Sequence, residues 1–122
     1  RECLKICGKE PFADGVGMML ISDDPAIANN PRVVREMWRA YPRVRVAVVI
    51  NAREQVSILS DGSVPLEAAA RKLQEKEPNH WFYDPRIGAV LNGGHSFSRV
   101  PPTHVALGEI VSLLEAAIAK TR

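Results

Sequence analysis

The segment Asn92-Gly93-Gly94-His95-Ser96-Phe97-Ser98-Arg99 gathers more phosphate-handling groups than any other stretch of the chain. Two successive glycines let backbone N–H groups approach an anion closely, because no Cβ stands in the way. His95 adds a donor whose charge switches near neutral pH. Ser96 and Ser98 add hydroxyls, and Arg99 adds a planar fork that matches phosphate geometry. The segment follows the apolar run Ile87-Gly88-Ala89-Val90-Leu91, which reads as a buried strand. The candidate phosphate-binding residues are therefore Asn92, Gly93, Gly94, His95, Ser96 and Arg99. The plainer reading is a tight turn, since Asn-Gly is the commonest turn dipeptide.

Other groups invite weaker readings. Asp23-Asp24 can hold a hard cation through carboxylate oxygens, and with His95 they would make a small metal-dependent hydrolase. Before Pro25 the same pair reads more simply as a turn. Cys3 and Cys7 can supply two ligands to a metal, with His80, His95 or His104 completing the set. Without a second ligand pair they read as free thiols, and no metal is assigned. His80-Trp81-Phe82-Tyr83 offers aromatic faces for stacking bases, or for a core or a protein interface. Arg32, Arg35, Arg39, Arg43 and Arg45 cluster with only Glu36 among them. The first three share one helical face, either solvated or turned to phosphate. No nucleophile, base and orienting acid stand out together, so no catalytic residue is assigned.

The elements that must position these groups follow from periodicity. The chain has 122 residues and a net charge of +2, which is one domain with only a mild basic excess. The longest apolar run, Val46 to Ile50, is strand-sized and far short of a membrane span. No signal-peptide pattern is present and the sequence does not open on Met, so a processed chain and a domain of a longer one both fit. A cytoplasmic location is expected.

Residues 15–22 read as a buried strand, and Leu4 and Ile6 as a short edge strand. Asn30-Pro31 starts a helix whose stripe is Val33, Val34, Met37, Trp38 and Tyr41, ended by Pro42. Val44–Ile50 and Gln55–Ser60 form a hairpin, followed by a turn at Asp61-Gly62-Ser63. A helix from about Pro65 carries Leu66, Ala69, Ala70 and Leu73 on one face and closes at Pro78. A last helix, about Leu107 to Lys120, has the stripe Ile110, Val111, Leu114 and Ile118. The order β-α-β-β-α-β-α predicts a single α/β domain, a mixed sheet with helices packed on it.

In this order the chain resembles the DHHA1 domain, the C-terminal module of DHH phosphoesterases such as the RecJ nucleases and the nanoRNases. That module runs through a hydrophobic strand, a strand of V-S-x-R-S-x-G pattern, a helix, a GGGH loop and an amphipathic helix. Here the counterparts are Val44–Ile50, Val56-Ser57-Ile58-Leu59-Ser60-Asp61-Gly62, Pro65–Gln74, Asn92-Gly93-Gly94-His95 and Leu107–Ala119, covering residues 43–120. The family's Arg is Leu59 here, its first Gly is Asn92, and residues 79–91 are inserted before the glycines. The resemblance implies a module that binds nucleotide or single-stranded nucleic acid for a phosphoesterase. Mn²⁺ or Mg²⁺ would sit in a separate DHH domain, and this chain needs no cofactor of its own. The competing reading is a stand-alone protein-interaction or homodimerisation domain in which Gly93-Gly94 is only a turn.

Overall fold

A computed structural model describes residues 8–21, 31–50, 55–92 and 102–121, with the backbone alone at 31 and 32. It is a small α/β domain built on one mixed sheet. The strands are β1 (Gly8–Phe12), β2 (Gly17–Ile21), β3 (Val46–Ile50), β4 (Val56–Ser60), β5 (Phe82–Asp84) and β6 (Ala89–Leu91). The helices are α1 (Pro31–Ala40), α2 (Glu67–Lys76) and α3 (Leu107–Ala119). The spatial order is β1-β2-β3-β4-β6-β5. Among the described residues only β2 and β3 pair in parallel, and α1 lies in the crossover such a pair requires.

The sheet is covered on both faces. Met18, Leu20, Ala47 and Val49 point to one side and pack with Val33 and Met37 of α1. Met19, Val46, Val48, Val56, Ile58 and Val90 point to the other and pack under α2 and α3 through Ala70, Leu73, Ile110 and Leu114. This explains the unbroken apolar run in β3, which is buried on both faces, while β4 alternates buried and half-buried residues. The hairpin pairs Val46 with Ser60 and Ile50 with Val56.

Two strands escape the periodicity. β1 is an edge strand, exposed along nearly its whole length, so Lys9, Glu10 and Pro11 carry no alternation. Pro11 and the charges blunt that edge against pairing with another chain. β5 has three residues and lies in the aromatic segment. The strand expected over Ile87–Leu91 is shorter, because residues 85–88 turn, Gly88 takes φ +63° and Ile87 is 61% exposed. Tyr41 leaves the apolar stripe. The helix ends at Ala40, and Tyr41 closes its last turn through N–H to Met37 O at 2.9 Å, with its ring exposed. Trp38 is half-buried against the α1-side core. Leu4 and Ile6 lie outside the described residues.

Phe12 and Gly17 face each other across β1 and β2. A Cβ on Gly17 would stand 2.2 Å from the Phe12 ring, which itself packs on the core. Gly17→Ala is expected to destabilise the fold by about 1–3 kcal/mol, the range for overpacking. Urea unfolding measures it, and in a Phe12→Ala background the same substitution should cost little. An equal cost in both backgrounds would break the link to the ring.

Candidate functional site: the carboxyl edge of the sheet and the clamp at Asn92

The register lines up the ends of three strands. Ile21 of β2 pairs with Ile50 of β3, and Ile50 pairs with Val56 of β4. Beside them, the Asn92 N–H donates to Val56 O at 2.9 Å as the chain leaves β6. β2, β3 and β6 therefore run in one direction and end on one sheet edge. Gly8, where β1 begins, pairs with Ile21 on the same edge. By connectivity Asp23-Asp24 follow the first of these ends, Asn51 to Glu54 the second and Gly93-Gly94-His95 the third. Cys7 immediately precedes Gly8.

Of the candidate phosphate-binding residues, Asn92 is described; Gly93, Gly94, His95, Ser96 and Arg99 lie outside the described residues, as do Asp23, Asp24, Cys3 and Cys7. Asn92 is fully buried. Its Nδ2 donates to His80 O at 2.9 Å, and its Oδ1 accepts the Thr103 N–H at 3.0 Å. One amide thus holds the chain where it leaves β6 against the point where it returns.

Glu77 is a second node, which sequence reasoning did not single out. Its Oε1 accepts Trp81 Nε1–H at 2.9 Å and the Thr103 hydroxyl, and its Oε2 accepts the His104 N–H at 2.9 Å. Burial alone would raise its pKa. The bonds from His104, Thr103 and Trp81, with the charge of His80, outweigh that and hold it below the ordinary glutamate value. A signal did exist in the sequence. Glu77 stands at the C-terminal end of α2, where the helix dipole disfavours an anion unless other donors hold it.

The aromatic segment divides. Trp81 is buried core, and Tyr83 packs partly against it. Phe82 is 46% exposed and pairs with Leu91, one residue before Asn92. His80 Nδ1 lies 2.8 Å from Pro78 O, and His104 is exposed. Leu59, at the position of the family's Arg, packs against the α1-side core. Arg35 and Arg39 are exposed on α1.

Comparison with protein-family models finds no match, and neither the curated proteins nor the solved structures yield one. Among the described residues no helix is long and apolar enough to cross a membrane, and no group of three His, Cys, Asp or Glu side chains is placed to hold a metal ion.

Proposed function

We propose that this chain is a phosphate-binding module of the DHHA1 kind, taking a nucleotide or the end of a single strand for a phosphoesterase domain. The observation that supports it most is the shared edge. β2, β3 and β6 end together, and the Gly-Gly-His segment starts and returns there between Asn92 and Thr103. Open α/β sheets bind ligands outside the carboxyl ends of their strands. In this reading the glycine N–H groups, His95, Ser96 and Arg99 meet the phosphate. Phe82, partly exposed, pairs with Leu91 next to Asn92 and so lies near where the segment begins. Catalysis, with Mn²⁺ or Mg²⁺, belongs to a separate DHH domain.

The test is fluorescence anisotropy with a 5′-phosphorylated oligonucleotide. The His95→Ala, Arg99→Ala double variant is expected to bind at least about tenfold more weakly, since an arginine–phosphate contact contributes roughly 1.5–3 kcal/mol. Its melting temperature should not change. Unchanged affinity would sink the proposal. The alternative, a dimerisation domain, draws on the exposed Phe82 and Ile87 of the β5–β6 edge. A mass in sedimentation that rises with concentration, together with no oligonucleotide binding, would favour it.

A further inference from the structure

The opposite end of the sheet holds a cleft of about 350 Å³ lined by Val16, Pro42, Arg43, Arg45, Ile118 and Thr121. Three local devices shape it. The turn before β2 carries Ala13, Asp14 and Gly15 at positive φ, +52°, +56° and +86°, and delivers Val16 to the rim. Arg45 N–H and Val46 N–H then share the single carbonyl of Val16, at 2.7 and 3.2 Å. That doubled contact inserts an extra residue at the start of β3. Val44 consequently packs on the α1 side of the sheet while Val46, two residues on, packs on the other. Finally, the end of α3 is closed by Thr121, whose N–H and hydroxyl both donate to Ile118 O, at 3.0 and 2.7 Å.

The lining is chemically divided. Val16, Pro42 and Ile118 are its apolar lining residues, and Arg43 and Arg45 its two basic ones. Among the described residues neither arginine meets a carboxylate, while Arg71, Lys76 and Arg86 each do. Two basic residues that line one concavity and meet no carboxylate among the described residues favour an anion there, and the guanidinium fork fits phosphate in a bidentate manner. The volume falls in the range of small-ligand sites.

We propose that this cleft is a second, separate anion site that binds the phosphate of a phosphate ester. Arg43 and Arg45 hold the phosphate, and the apolar part of the ester lies on Val16, Pro42 and Ile118. The residues that line it lie at the other end of the sheet from Asn92. Val16 stands before β2 and both arginines before β3, whereas Asn92 follows β6.

Phenyl phosphate is the probe, titrated into the full chain and followed by amide chemical shifts. Saturable shifts are expected at Val16, Arg43, Arg45 and Thr121. The Arg43→Ala, Arg45→Ala variant should bind at least tenfold more weakly, and inorganic phosphate, with no apolar part, several-fold more weakly than phenyl phosphate. Arg43→Lys with Arg45→Lys keeps the charge and loses the fork, so it should weaken binding at least threefold. The His95→Ala, Arg99→Ala variant should leave the titration unchanged, which separates this site from the one at the carboxyl edge. Shifts that do not saturate, full affinity in the alanine pair, or full affinity in the lysine pair would each overturn the proposal. With phenyl phosphate bound as expected, competition by a 5′-phosphorylated dinucleotide identifies strand ends as occupants, and failure to compete identifies small phosphate esters. The four substitutions at Arg43 and Arg45 are at exposed positions, and an unchanged melting temperature verifies the fold.

Discussion

Asn92→Ala is expected to cost about 2–4 kcal/mol of stability and lower the melting temperature by roughly 10 °C, because it orphans two partners at once. His80 O loses the Nδ2 donor at 2.9 Å and Thr103 N–H loses the Oδ1 acceptor at 3.0 Å, around a side chain that is fully buried. Asn92→Asp sharpens the test. It keeps an acceptor for Thr103 but turns a carboxylate oxygen toward the His80 carbonyl, so it too should destabilise, although its size is unchanged. Hydrogen exchange at Thr103 should accelerate in both variants more than exchange in β3. A measured loss under about 0.5 kcal/mol, the usual range of surface substitutions, would show that the amide clamps nothing. The functional consequence is distinct from a lost ligand contact. If the proposed phosphate site is right, its binding should weaken in step with the melting of the clamp, and low temperature should restore part of it.

The second large effect is expected at Glu77. Glu77→Gln removes the charge that three donors share and presents an NH₂ group to one of them. The expected loss is about 2–3 kcal/mol at pH 7, the scale of hydrogen bonds to an ionised group. The pH dependence has a definite sign. The carboxyl is held below its ordinary pKa in the folded state, burial opposing the shift and the bonds from His104, Thr103 and Trp81 prevailing. The stability it contributes is complete above the unfolded-state pKa, about 4.3, and is lost as pH falls through the lower folded value. Urea midpoints of wild type and Glu77→Gln should therefore differ most at neutral pH and converge in acid. Parallel curves from pH 7 to pH 3 would mean that the carboxylate charge is not what the three donors use.

What the amino-acid pattern discloses depends on how each element is buried. β3 is readable because Val46, Val48, Ala47 and Val49 serve two cores, and α3 because Ile110, Leu114 and Ile118 fall on one helical face. β1 is unreadable for the converse reason. As an exposed edge it is held by backbone bonds to β2, and Lys9, Glu10 and Pro11 have no inner face to reveal. β5 is too short to express a period. The extra residue at Arg45 shifts the alternation without any local sequence mark. At the candidate site, Asn92 is noticeable as the start of a glycine turn, but its buried amide job is not, since His80 and Thr103 come from distant parts of the chain. The same holds for Glu77 with Thr103 and His104, a pairing that crosses 26 and 27 positions and leaves no periodic trace.

The hold between Asn92 Oδ1 and Thr103 N–H has a consequence for how this chain can change over time. Closing a longer segment between fixed ends is cheap, with each doubling of length costing only about 0.6 kcal/mol of closure entropy. A change of length between these two positions would therefore cost little in closure entropy, so long as Asn92 and Thr103 keep their bond. The bond between Asn92 and Thr103 thus ties two chain points 11 positions apart, and length variation between them is where this chain would tolerate drift most readily.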